Sequence, residues 1–239
     1  MELKDKRILV TGGGSGYGKG IAAVLARAGA EVWITGRNAG KLAAAAAETG
    51  VRYAVADVTK GGDWDRVLAD MGGIDVLVNN AGAGGRLVPV AEQQDEDVIA
   101  TVNTNLTGVI MGCARAGRIM REQKSGAIVN ISSVCALYAW PGWSVYTAAK
   151  AGLAKFSHGL YTELRPFGVR VCCLTPSWGQ TDFNRAAHIS GASENPETAG
   201  QCTSPEELGQ IVKGILETPD HLAVVDATVQ PMIQDICPM

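Results

Sequence analysis

None of the six cysteines, at positions 113, 135, 172, 173, 202 and 237, forms a CxxC pair or stands at zinc-ligand spacing, and only three histidines accompany them. A structural zinc or a dithiol redox motif is therefore excluded, and no metal is expected. Several cysteines lie in apolar, strand-like runs, the pattern of structural thiols in a reduced, cytoplasmic setting. Basic excess is also missing: 21 Lys and Arg against 24 Asp and Glu leave a net charge of −3. That balance offers no field for a phosphate backbone, so a small-molecule partner is favoured over nucleic acid. No stretch approaches the roughly 18 apolar residues that span a bilayer, which argues against a membrane partner. The start "MELKDKRILVTGG" has charges followed by an apolar run too short for the h-region of a signal peptide. No low-complexity segment interrupts the chain, and the alanine run 43–47 reads as ordinary helix filler.

What is present fits one globular unit. A chain of 239 residues, 46% apolar and 19% charged, can bury one sizeable core and is short for two domains. Apolar runs rich in β-branched residues recur as "RILVT", "EVWIT", "RYAVADV", "IDVLVN", "GAIVNIS", "VRVCCL" and "LAVVDA". Each is apolar on both faces, as a parallel strand covered by helices on two sides requires. Between them lie helix-like segments at 18–28, 40–48, 63–71, 94–122, 145–164 and 205–217. The alternation predicts a single-domain α/β fold with a doubly wound, seven-stranded parallel sheet of the Rossmann type. Such sheets take ligands beyond the carboxyl ends of their strands, so residues there carry the most information.

The first strand runs into "TGGGSGYGKG", a glycine-rich turn that opens a helix. Gly12 permits the tight turn, Gly16 lets the backbone approach a pyrophosphate, and Gly18 allows close packing of helix on strand. Such a turn alone is weak; the strand–turn–helix context gives it weight. The second strand ends in Gly36 and Arg37, where NAD binders usually carry an acid for the ribose hydroxyls. An arginine fork suits a 2′-phosphate, so NADP(H) is favoured over NAD(H), a solvated loop arginine being the alternative. Ser15 stands where some NADP binders carry a basic residue. Asp57, ending the third strand, can accept from an adenine amino group, and the asparagines of "VNNAG" can tie adjacent strand ends together.

These motifs, with the asparagine of "NTNLTG", the serines of "NISS" and "YTAAK", stand in an order that resembles the single-domain short-chain dehydrogenases/reductases over residues 5 to about 232. The resemblance implies a catalytic tetrad of Asn105, Ser133, Tyr146 and Lys150. Ser133 is chosen over Ser132 because of the family's usual serine-to-tyrosine interval, and Asn105 over Asn103 because it precedes "LTG". Cofactor contacts are implied at Gly12, Ser15, Gly16, Tyr17, Gly18, Arg37, Asp57, Val58, Asn80, Ala81, Gly82, Tyr146, Lys150, Pro176 and Thr181. A homotetramer built partly on the helices 94–122 and 145–164 is implied as well. Two departures stand out: Ser177 replaces the glycine that usually follows Pro176, and the C-terminal "Asp-Gly-Gly" is replaced by "VVDATVQPMIQDICPM". The latter looks more like the 3-hydroxy-acid and serine dehydrogenase branch.

The residue types suit the chemistry implied. Tyr146 and Lys150, four apart, share one face of a helix. A free phenol titrates near pKa 10, and a nearby ammonium is expected to lower it toward use as an acid or base. Ser133 can donate to the substrate oxygen, and Asn105, through a water near Lys150, can link the site to solvent. Without the cofactor motif, the same residues would read as surface helix and strand-end turn positions. Tyr138, Trp140, Trp143 and Trp178 fall on loops that either border the substrate or meet another subunit. The polar segment 181–207 occupies the place of the family's substrate lid. Arg86, Arg185 and His188 are candidate contacts for an anionic substrate, each also readable as a solvated loop residue. The reading is an oxidoreductase of small polar alcohols and ketones, with a short hydroxy acid first and an uncharged polyol, amino alcohol or sugar as the alternative; a non-catalytic dinucleotide sensor is more remote.

Overall fold

A computed structural model describes residues 1–186 and 191–235, without the side chains of Arg185 and Ala186. Seven strands, β1 (Arg7–Thr11), β2 (Glu31–Gly36), β3 (Arg52–Val55), β4 (Val76–Asn79), β5 (Gly126–Ile131), β6 (Val169–Pro176) and β7 (Asp226–Val229), form one sheet in the order β3-β2-β1-β4-β5-β6-β7. All its pairings are parallel. The helices are α1 (Gly16–Arg27), α2 (Ala39–Thr49), α3 (Gly61–Met71), α4 (Asp95–Val102), α5 (Gly108–Gln123), α6 (Ser144–Leu164), α7 (Phe183–Ala186) and α8 (Pro205–Glu217).

The two-faced strands account for the two layers of helices. Side chains alternate along a strand, so Ile8 and Val10 join one core with α1, α2 and α8, while Leu9 enters the other with α3, α5 and α6. Val76 and Val78 against Leu77, and Ala127 and Val129 against Ile128, repeat the division. Strand order reverses between β1 and β4, which opens a crevice at their carboxyl ends. Local signals set the helix ends. Ser204 and Glu207 cap α8 reciprocally with Pro205 in its first turn, and Gly50 and Gly72 close α2 and α3 in the left-handed region.

Two elements depart from the sequence expectation. The helix expected over 94–122 is interrupted by a wide π turn at Asn103–Thr107 between α4 and α5. The Asn105 side-chain amide donates to the Thr101 carbonyl at 2.9 Å, so it occupies an acceptor of the helix's own ladder and the backbone widens around it. The seventh strand, expected within 222–227, runs instead from Asp226 to Val229, because its register is set by β6: Cys173 pairs with Asp226 and Pro176 with Val229.

Candidate active site

The site begins at the turn after β1. Gly12 and Gly16 have φ of +68° and +49°, values that favour glycine. A Cβ on Gly18 would lie 2.3 Å from the Gly12 carbonyl oxygen, so only glycine lets the turn fold back on α1. The neighbouring strand end locks the turn. Asn80 Nδ2 donates to the Thr11 and Gly12 carbonyls at 3.0 and 3.3 Å, and Thr11 Oγ1 accepts from the amides of Asn80 and Ala81, both at 3.0 Å. Thr11 is a site-shaping residue that the sequence did not single out; its only signal was its place at a strand end. Ser15, the residue before α1, gives the helix no side-chain cap, and its first turn holds no acid. Its leading amides therefore suit an external anion, as a dinucleotide pyrophosphate supplies.

Along the crevice, Thr35, Ala56, Asp57, Val58 and Trp64 line a small recess at the ends of β2 and β3. Burial tends to raise the Asp57 carboxyl, but bonds from the Thr59 amide and hydroxyl, with the charges of Arg37 and Lys60, hold it below the usual range. Arg37 itself is exposed just past β2. Tyr17 takes a different direction from its neighbours in the turn: its phenol oxygen is buried without a hydrogen bond, and a Cβ on Gly179 would lie 2.0 Å from it. The Tyr17 side chain thus packs beneath the loop that leaves β6, and only its backbone stands at the anion end of α1.

At the ends of β4 and β5 the four residues of the expected tetrad come together. Asn105 is fully buried; its Nδ2 donates to the Ala83 carbonyl at 2.7 Å and its Oδ1 accepts from the Ala83 amide at 3.3 Å. A Cβ on Gly82 would lie 2.9 Å from Asn105 Oδ1 and 3.6 Å from Lys150 Nζ, so this glycine is the gap through which the two approach. Lys150 Nζ donates to the Ile131 carbonyl at 2.9 Å and sits 5.7 Å from the centre of the Tyr146 ring. Ser133 opens a short turn, accepts from the Cys135 amide at 3.2 Å, and lies near the Tyr146 hydroxyl. Ser132 points instead to the Lys150 carbonyl, as a packing residue. Below the site, Asn79 bonds Asn130 at 2.8 Å and Asn130 bonds Ser157 at 2.9 Å, tying β4, β5 and α6.

The electrostatics differ from the expectation that Lys150 lowers the tyrosine. Tyr146 is 5% exposed, and burial raises its phenol above the ordinary value, outweighing the smaller, opposite influence of the nearby Ser133 hydroxyl. Burial also depresses Lys150, to about 8. Both shifts favour the neutral form of each group, because an apolar surround penalises charge.

The remaining candidates divide. Pro176 is buried at the end of β6, and Thr181 lies against the glycine turn, its Cβ 3.3 Å from where one on Gly16 would be. The Ser177 hydroxyl, which has no counterpart in the family glycine, donates to Gln234 Oε1 from the C-terminal segment, and the Trp178 amide reaches the same oxygen at 3.4 Å. The two departures from the family pattern are thus in contact. Segment 181–207 is closed at its neck by a parallel bridge between Gly179 and Thr203. Arg86 is exposed and 4.0 Å from Asp97; Arg185 lies in α7, its side chain outside the described residues, as is the whole of His188. Among the described residues no acid, histidine or cysteine cluster could hold a metal, the five cysteines are free thiols, and no helix is long and apolar enough to cross a membrane.

Residues 6–190 match the family model for short chain dehydrogenase. The chain is 37% identical to a 3-oxoacyl-[acyl-carrier-protein] reductase of Chlamydia muridarum, over 93% of this chain and 88% of that protein. It is 34% identical to carbonyl reductase family member 4 of Xenopus tropicalis, over 92% and 96%. Among solved structures, a closed form of serine dehydrogenase complexed with NADP+ superimposes with a TM-score of 0.90 at 27% identity, covering 98% of both chains.

Proposed function

The chain belongs to the short-chain dehydrogenase family and is an NAD(P)-dependent oxidoreductase of CH–OH groups, and from that premise we propose that it prefers NADP(H) and interconverts a short polar alcohol and its ketone, a three- or four-carbon hydroxy acid first. The observation that carries the proposal is the meeting of Asn105, Ser133, Tyr146 and Lys150 beside a glycine turn whose helix amides await an anion. The dinucleotide would lie with its pyrophosphate on the Gly12–Gly18 turn, its adenine near Asp57 and Val58, and its nicotinamide between Thr181 and the Tyr146–Lys150 pair. Asn80, Ala81 and Gly82 would line the crevice between, and Ser15 and Arg37 would flank the 2′-phosphate. When bound, it supplies or accepts the hydride.

In reduction, Tyr146 gives its phenolic proton to the carbonyl oxygen as negative charge grows there, and Ser133 Oγ donates a second hydrogen bond to the same oxygen. Burial keeps Tyr146 protonated beforehand, the form this step needs. The phenolate left behind lies beside Lys150, which is poised at about 8 and so can hold or release a proton near neutral pH. A water between Asn105 and Lys150 restores the proton from solvent. Oxidation reverses each role.

Arg37 is the proposed discriminator between cofactors. Arg37→Ala should lower the kcat/KM ratio of NADPH to NADH by roughly 10- to 100-fold, the loss of a charge-assisted phosphate contact. An unchanged ratio in steady-state assays with both cofactors would assign the preference elsewhere.

The hydroxy-acid substrate is supported by the likeness to serine dehydrogenase, serine being itself a 3-hydroxy acid, and by the β-keto pattern in the name of the 3-oxoacyl reductase relative. The test compares a short hydroxy acid with its methyl ester, in the parent and in Arg86→Ala and Arg185→Ala. The acid should be preferred at least tenfold, and one arginine change should erase the preference. Equal turnover of acid and ester would favour the second reading, an uncharged polyol or amino alcohol, which the Arg86–Asp97 pair supports because that cation already has an acid beside it.

A homotetramer belongs to the same proposal, with Ile99 of α4 and Ile110 of α5 among the exposed apolar residues such an assembly would cover. A monomeric mass by light scattering at assay concentration would overturn it.

A further inference from the structure

Tyr146 is covered by two other rings. Trp143, the residue before α6, packs edge-on to it with ring centres 5.7 Å apart, and Phe183, the first residue of α7, leans on it at 5.6 Å. Trp143 and Phe183 also stack on each other, 6.4 Å between centres and 18° from parallel. Rings at that separation leave no room for a third flat group between them. The loop that carries Phe183 is tied to the site, since the Phe183 amide donates to Thr181 Oγ1 at 3.3 Å and Thr181 lies against the glycine turn.

A substrate oxygen must come within hydrogen-bond reach of the Tyr146 hydroxyl, about 2.6–3.2 Å, to take its proton. The group on the carbonyl carbon must then lie beside the Trp143–Phe183 pair. We propose that Trp143 and Phe183 are the specificity-determining residues of this enzyme, forming an aromatic wall that admits a methyl-sized substituent on the reacting carbon and rejects a ring. The inference rests on the proposed activity and deepens it: a short acid or alcohol passes, and a phenyl-bearing homologue meets Phe183. Trp143 is held in place at the start of α6, where the Thr147 amide donates to its carbonyl at 2.8 Å. Phe183, on a four-residue helix, is the wall that substitution can remove without disturbing the sheet.

The test uses two 3-oxo acids that differ only at the carbonyl, acetoacetate with its methyl group and benzoylacetate with its phenyl group, each reduced with NADPH or NADH. In the parent, kcat/KM for acetoacetate should exceed that for benzoylacetate by at least about 50-fold, in the range that misfit of a substrate side chain imposes. Phe183→Ala should raise the benzoylacetate-to-acetoacetate ratio at least tenfold, chiefly through KM for the phenyl substrate. Phe183→Leu, which keeps an apolar group of similar reach, should retain most of the parent's discrimination. Cofactor affinity and thermal midpoint should stay near the parent's values in both variants. A parent that reduces the two acids equally well, or a ratio unmoved by Phe183→Ala, overturns the wall. Absence of turnover with either acid, in the parent and Phe183→Ala alike, overturns it together with the proposed 3-oxo acid chemistry.

Discussion

Tyr146→Phe should reduce kcat by about 10³-fold or more while leaving cofactor affinity within about threefold, the scale on which a positioned acid contributes to proton transfer. The substitution removes one oxygen and keeps the ring, so the contacts with Trp143 and Phe183 persist. Ser133 still accepts from the Cys135 amide. The thermal midpoint should therefore change little. Since the effect lies on chemistry and not on binding, steady-state kinetics should show a fall in kcat, and a fluorescence titration with NADPH should superimpose on the parent's. Activity within tenfold of the parent would mean that another group delivers the proton, and the proposed roles of Ser133 and Lys150 around the phenol would fall with it.

Gly18→Ala should weaken cofactor binding by more than 100-fold and lower the thermal midpoint by several degrees, although it adds a single methyl group. The added Cβ would stand 2.3 Å from the Gly12 carbonyl oxygen and 2.5 Å from Asn80 Nδ2. Backbone has no rotamer into which to retreat, and that carbonyl is one of the two that Asn80 uses to hold the turn to β4. Relief requires the turn to open, which misdirects the amides of α1 and loosens the crevice; overpacking of this kind costs about 1–3 kcal/mol. Isothermal titration with NADPH and a melting curve would check both effects. A contrasting variant is Gly62→Ala in α3, where the new Cβ meets nothing within 4 Å, and which should leave affinity unchanged and the midpoint equal to or slightly above the parent's. Parent-like affinity in Gly18→Ala would show that the turn is not where the pyrophosphate binds.

Much of this protein was determined by the sequence alone, because the signals concerned are local. Apolar residues on both faces of short runs require helices on both sides of a sheet, and that alternation reappears as the split of Ile8 and Val10 from Leu9 between two cores. The glycines of the first turn and the spacing of Tyr146 and Lys150 act within one turn of chain, so their geometry is written in their order. Contacts between distant segments are decided otherwise. Asn105 meets Ala83 and at the same time takes its own helix's acceptor at Thr101, so an asparagine that reads as mid-helix opens a π turn. Thr11 holds Asn80 and Ala81 only because β1 and β4 lie side by side, and the seventh strand starts at Asp226 because β6 offers its register there. Ser177 finds Gln234, and Phe183 comes to rest on Tyr146, across spans with no periodicity to read. The charge state of the site belongs to the same class: spacing puts an ammonium near a phenol, but how far water is excluded from both depends on which rings the fold lays over them. Here burial drives each toward its neutral form.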